Sequence, residues 1–205
     1  MGSQISVSRR SLGAAFLASI IGLLSPVGAT AQPRFVVRPI AEKKLKELPA
    51  GPLFWRIENF PTIEQAHAAE TPTSLAVQAA GKVWLFTLGP KGSAVTQGSN
   101  AVEIGPVPTF TATEYLLRIN YAEAPPGTKT PVHTHPGSET FYVLTGELGQ
   151  KTPHAAAHVE AGQPMTGHAP GTPMEVSSSG HSTLTALVMF IVDAGKPFSS
   201  PAKFE

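Results

Sequence analysis

Between Gly127 and Gly146 the chain reads Gly-Thr-Lys-Thr-Pro-Val-His-Thr-His-Pro-Gly-Ser-Glu-Thr-Phe-Tyr-Val-Leu-Thr-Gly, which gathers His133, His135 and Glu139 into one short stretch framed by glycines. No other feature restricts the fold as much. In extended backbone alternate side chains share a face, so His133 and His135 point the same way. Pro136-Gly137 is expected to form a turn that swings Glu139, at the head of an apolar run, back towards both rings. Two neutral imidazoles and one carboxylate, with coordination positions left open, suit a divalent ion such as Fe, Mn, Ni or Zn better than a closed structural site does.

The rest of the chain is built from short apolar segments punctuated by 19 glycines and 20 prolines, a pattern that favours an all-β fold. Tyr115, Leu117, Ile119 and Tyr121 alternate with Leu116, Arg118 and Asn120, giving a strand that leads into the histidine segment, with residues 139–145 expected as its partner. Residues 182–192 are almost continuously apolar and read as a final strand buried on both faces. Residues 53–60 and 83–88 read as strands carrying Phe54, Trp55, Trp84 and Phe86. Between them Thr62-Ile-Glu-Gln65 offers a capping-box helix start, and Thr71-Pro72 offers a second, with Gly81 placed to end that helix. One or two short helices are therefore predicted over residues 62–80. Residues 32–52 read as an arm, with Lys43, Lys44 and Lys46 on a solvated helical face. No internal repeat is visible, so one barrel is expected rather than two.

The histidine segment resembles the first motif of the cupin superfamily, G-x5-H-x-H-x3-E-x6-G, and matches it at Gly127, His133, His135, Glu139 and Gly146. The resemblance implies a single antiparallel β-barrel of jelly-roll type over residues 109–195. An N-terminal extension, residues 32–108, would pack on it, and residues 196–205 would form a C-terminal tail. It also implies one divalent metal ion inside the barrel, held by His133, His135 and Glu139. The second cupin motif has its counterpart in residues 162–178, and there the chain departs from the pattern: Met174 stands where a fourth ligand His is usual, and Ser178 where an Asn is usual. Several readings stay open. Met174 is an apolar wall beside a three-ligand site, or a thioether ligand favouring a soft ion such as Cu(I), or the mark of a barrel that has lost its metal. His168, six residues upstream of Met174, is the candidate replacement ligand. Cupins also dimerise through their sheets, so the resemblance allows a homodimer.

At the N-terminus, Ser8-Arg9-Arg10-Ser11-Leu12 opens an apolar stretch running to Leu24, followed by Pro26 and Ala29-Thr30-Ala31. This pattern reads as a cleavable signal peptide over residues 1–31, and the paired arginines resemble a twin-arginine export signal, although Gly13 stands where a bulky apolar residue is usual. The expected location is the bacterial periplasm or outside the cell. The apolar run is too short to cross a bilayer, which takes ~20 residues, so no stable membrane insertion is expected after cleavage.

Cleavage removes Arg9 and Arg10 but no acid, turning the formal net charge from +1 to −1 and leaving no basic excess for nucleic acid. The absence of cysteine excludes disulfides, thiolate catalysis and thiolate metal sites. His154-Ala-Ala-Ala-His158 has the spacing of a helical zinc pair but lacks the internal glutamate of metallopeptidases. The functional expectation is an exported metal-binding protein that acts on or binds a small oxygenated molecule, as an oxygenase or isomerase. The alternative is a non-catalytic periplasmic ligand-binding or sensor barrel, with or without metal. Catalytic groups beyond the metal set are unassigned, with Tyr142 and Thr140 the nearest candidates.

Overall fold

The computed structural model describes residues 1–2, 34–93 and 96–205, so the expected signal peptide and its paired arginines lie outside the described residues. The chain runs through β1 (Val36–Leu45), β2 (Phe54–Phe60), α1 (Ile63–Ala68), β3 (Ser74–Ala79), β4 (Lys82–Gly89), β5 (Ser99–Ile104), β6 (Tyr115–Ala124), β7 (His133–Thr134), β8 (Gly137–Thr145), β9 (Glu147–Lys151), β10 (Ala156–Glu160), β11 (Pro164–Thr166), β12 (Glu175–Ser178), β13 (Leu184–Asp193) and β14 (Ser200–Pro201). The structure is mostly β and antiparallel, as the sequence pattern predicts.

A five-stranded sheet in the order β1-β6-β13-β8-β11 faces a smaller one in the order β10-β9-β12. A backbone bridge between His133 and Met174 carries the smaller sheet on to β7. Neighbours in space are distant in sequence and the connections pass from one sheet to the other, which is the jelly-roll winding. β8 consequently pairs with β13 and β11 rather than with β6, correcting the expectation that residues 139–145 partner the strand before them. Leu148, Val159 and Val176 from the small sheet close with Phe141, Val143, Val188 and Phe190 from the large one into the barrel core.

A third sheet, β3-β4-β2-β5, covers the outer face of the five-stranded one. Because strand side chains alternate, Leu117, Ile119, Leu187, Met189 and Ile191 point away from the barrel interior and meet Trp55, Ile57, Trp84 and Phe86. The five-stranded sheet is thus the middle layer of three, which explains why β13 is apolar at nearly every position.

Three segments differ from the sequence reading. Residues 74–79 form β3 rather than a second helix, since Leu75 and Val77 alternate into the core opposite Trp84 and Phe86. Ala80 and Gly81 both take positive φ, 50° and 71°, the two-residue hairpin geometry that turns β3 into β4. Gly81 therefore serves a hairpin and not a helix end. The first helix is present as read: Thr62 caps α1 and its side chain accepts from the Gln65 amide. The arm forms β1, paired along its length with β6, so the barrel sheet recruits a strand from outside the 109–195 interval. Its lysines do not lie on a helical face. Lys44 and Lys46 flank Glu114 at 2.8 and 2.9 Å, and the Lys43 ammonium donates to the Ser74 carbonyl. The tail also turns back, as β14 pairs with β7 beside His133.

Candidate metal centre

The histidine segment delivers its side chains to the barrel interior by a route slightly different from the expected turn. Pro136 forms a bend and Gly137 is already the first residue of β8, packed so closely on the Ile191 and Val192 backbone that a Cβ there would overlap it. That approach seats β8 against β13 and sets Glu139 opposite Phe190, facing inward. His133, His135 and Glu139 line one cavity of about 480 Å³.

The histidines are held in one tautomer. His133 Nδ1–H donates to the Pro131 carbonyl at 2.8 Å, and His135 Nδ1–H donates to the Phe198 carbonyl at 2.7 Å. Each ring therefore keeps Nε2 as its bare acceptor, the arrangement that backbone carbonyls commonly impose on metal-ligating imidazoles. His135 is wedged between Phe190 and Phe198, with ring centroids 4.8 Å from each. Burial there pushes it from 6.5 down to about 4, against the opposing effect of the Phe198 carbonyl. Burial likewise pushes Glu139 from 4.5 up to about 8, and its Oε2 has no hydrogen-bond partner.

His135 Nε2 lies 4.0 Å from Glu139 Oε1, and the His133 and His135 rings stand edge to face with centroids 5.0 Å apart. Two donors sharing one ion at ~2.1 Å can be no more than ~4.2 Å apart, so the His135–Glu139 pair meets that limit. Among the described residues, however, no group of three His, Cys, Asp or Glu side chains is close enough to hold a metal ion. The donor types suit a divalent cation, two imidazoles presenting Nε2 and a buried carboxyl whose Oε2 has no partner, but only His135 and Glu139 stand close enough to share one.

Met174 is buried beside this site, with its backbone paired to His133 and its sulfur 3.5 Å from the Gln150 amide nitrogen, which donates to it. His168 Nε2–H donates to Gln150 Oε1 at 2.8 Å, so His168 is tied into a Gln150–Met174 cluster. Thr140 and Tyr142 alternate with Glu139 and Phe141 and so face the outer sheet, where Tyr142 meets Trp84 edge-on at 6.2 Å. His158 sits in the β9–β10 hairpin, bonded to Glu147 and Ser179, while His154 lies exposed at its turn, so the pair is not on a helix.

Sequence reasoning missed Phe198, Arg118 and Asn120. Phe198 fixes His135 and also lies 3.9 Å from the Arg118 guanidinium. Arg118 and Asn120 line the cavity from β6. Their alternation with Leu117 and Ile119 signalled an inward polar pair, but nothing local told which face of the strand was the barrel interior.

No protein-family model matches the chain, and a comparison of its sequence with curated proteins found no match. Solved structures match over part of the chain. The DMSP lyase DddQ of Ruegeria pomeroyi is 23% identical, with 43% of this chain and 44% of that one covered at a TM-score of 0.38. The polyketide cyclase RemF of Streptomyces resistomycificus is 22% identical, covering 43% of this chain and 62% of that one at 0.37. A cupin superfamily protein of Desulfitobacterium hafniense is 13% identical, covering 38% and 68% at 0.34. This chain spans less than half the length of the DMSP lyase.

Proposed function

We propose that the barrel binds a divalent metal ion through His133, His135 and Glu139 and uses it to bind or transform a small molecule admitted to the adjoining cavity. The observation that supports this is the pair His135 Nε2 and Glu139 Oε1, 4.0 Å apart, with the second carboxyl oxygen of Glu139 buried and lacking any partner. An ion there supplies a Lewis acid, and a redox-active one adds electron transfer, the basis of oxygenase or isomerase chemistry. The chain itself holds both imidazoles in the Nε2-acceptor tautomer and walls the centre with Phe190 and Phe198. Without the ion, Glu139 keeps a proton near neutral pH.

The second reading, a non-catalytic ligand-binding barrel, is favoured by one feature of the wall. Apart from the three candidate ligands, Arg118 is the only titratable side chain lining the cavity among the described residues. Thr140 and Tyr142 face away, leaving no separate general acid or base. Export to the periplasm through residues 1–31 belongs to the proposal on the sequence pattern alone. So does a homodimer, which would use the outer strand β1 with its exposed Val36 and Val37.

Elemental analysis of tag-free protein tests the metal. The expected result is stoichiometric metal in the wild type and its loss in His133→Ala and in His135→Ala, both still folded by circular dichroism. Equal metal content in all three, or none in the wild type, would reject the centre.

A further inference from the structure

The cavity wall carries one fixed positive charge that the metal proposal leaves unused. Leu117 and Ile119 turn to the outer sheet, so Arg118 between them points into the barrel, where it lines the cavity with 19% of its side chain exposed. A guanidinium carries five N–H donors and stays protonated. Glu42 meets only one of its nitrogens: Nε lies 2.5 Å from a Glu42 oxygen, outside hydrogen-bonding alignment, and that carboxylate is itself 43% exposed. The Phe198 ring lies against the guanidinium, its centroid 3.9 Å from Cζ, which steadies the group without accepting from its N–H edge. Nη1 and Nη2 have no hydrogen-bond partner among the described residues and, unlike Nε, keep accessible surface. That open edge is the fork that binds a carboxylate through two parallel hydrogen bonds.

The surroundings of the fork narrow the ligand. Arg118 stands opposite Phe190, and Phe190 opposite Glu139, so the three share one row across β6, β13 and β8. Two strand spacings put the Arg118 and Glu139 Cα atoms roughly 10 Å apart. No other Lys or Arg lines the cavity among the described residues, which suits a single negative charge and not a phosphate dianion. Beyond that row the wall is largely apolar, with Ala122, Phe141, Leu148, Val176 and Val188. An apolar ligand body gains by burial there, whereas the hydroxyls of a sugar would lose their water without gaining partners.

We propose that the cavity takes a small monocarboxylate with an apolar body, its carboxylate accepting two hydrogen bonds from Arg118 Nη1 and Nη2 on the row that also carries Glu139. Arg118 is the specificity-determining residue for the acid. The inference rests on the cavity being the ligand site, as proposed above, but not on the metal.

Calorimetric titration of the purified protein with octanoate and with octanamide near neutral pH tests it, once with excess chelator and once with added zinc. The two probes share a chain, and only the first is an anion. The expected result is roughly 10- to 100-fold tighter binding of octanoate in both conditions, the scale of hydrogen bonding to a charged group. Arg118→Met, which keeps the length and removes the charge and the donors, should bind both probes alike at about the wild-type affinity for octanamide. If that variant does not fold, Glu42→Gln decides: losing the neighbouring negative charge should tighten octanoate roughly two- to fivefold and leave octanamide unchanged, and an unchanged or weaker octanoate affinity would count against the proposal. Equal affinities in the wild type, tighter binding of the amide, no binding of either probe, or a preference that survives in Arg118→Met would each overturn it. A preference that appears only with zinc and survives in Arg118→Met would put the carboxylate on the metal, discarding this inference and keeping the centre. A preference under chelator that Arg118→Met abolishes, in a wild-type protein that retains no metal, would keep this inference and discard the centre.

Discussion

The two faces of the middle sheet are made by the same strands and do opposite things. On the outer face Leu117, Ile119, Leu187, Met189 and Ile191 pack against Trp55, Trp84 and Phe86, all fully or almost fully buried. On the inner face the alternate residues of those strands are Arg118, Asn120, Glu139 and Phe190, and what they surround is a cavity. Each large apolar side chain on the outer face contributes about 1.5–3 kcal/mol by its burial. An orphaned buried acceptor on the inner face costs about 1–3 kcal/mol. The outer sheet thus offsets the cost of keeping polar groups inside the barrel. Buried polar groups without partners do lie on the outer side, the Ser138 and Thr140 hydroxyls and the Trp55 indole N–H, but they are neutral and none lines the cavity.

This division is broken most severely from the outer face. Phe86→Ala is expected to destabilise the protein by about 3–5 kcal/mol in urea unfolding, while leaving metal content per folded molecule unchanged. If metal content per folded molecule falls with stability, the two faces are not separate.

The next largest effect is a pH dependence confined to the inner face. In chelator-treated protein, Glu139 takes up its proton more readily folded than unfolded, so between about 4.5 and 8 the native state binds more protons and stability falls as pH rises. For His135 the unfolded state binds more protons between about 4 and 6.5, so its contribution falls as pH drops through that window. The two oppose each other where they overlap, leaving a net loss of stability from about 6.5 to 8. Glu139→Gln should abolish that loss and keep the decline below 6.5 set by His135. The difference between the two proteins at pH 8 is on the order of a few kcal/mol. Parallel stability profiles for the two would contradict the burial of a lone carboxyl.

A smaller effect sharpens the role of the tail. Ending the chain after Gly195 removes the Phe198 carbonyl from His135 and the ring from Arg118, so metal affinity is expected to drop about 10–100-fold, the usual consequence of losing an outer-shell partner. Unfolding free energy should change far less than in Phe86→Ala. Unchanged metal affinity would show that Phe198 only covers the site.

The mildest change is Met174→Leu. Conserved volume should hold the stability cost below about 1.5 kcal/mol, and metal content should stay the same. Loss of the metal would instead make the thioether a ligand.

Much of this was legible in the chain itself. Period-two alternation announced β6, the continuous apolar run announced β13, and Thr62 with Gln65 announced the only helix among the described residues. Residues 71–80 were misread because proline after threonine and a closing glycine suit a helix as well as a hairpin, and only the pairing of Leu75 and Val77 with β4 decides between them. β1 was unreadable for a related reason: its polar lysines match an edge strand as well as a solvated helix.

For the candidate site, local sequence determined which donors lie near one another, because His133, His135 and Glu139 are separated by only a few residues and extended backbone fixes how their side chains alternate. Tertiary structure alone decided what surrounds them. Phe198 reaches His135 from 63 positions away, Arg118 finds Glu42 across a strand pair, and Met174 comes to rest on His133 through a bridge between strands. Such contacts depend on the jelly-roll winding, which brings together segments whose sequences carry no mark of one another. Burial, which sets the protonation of Glu139 and leaves Asn120 without a partner, is a property of that packing and of no single segment.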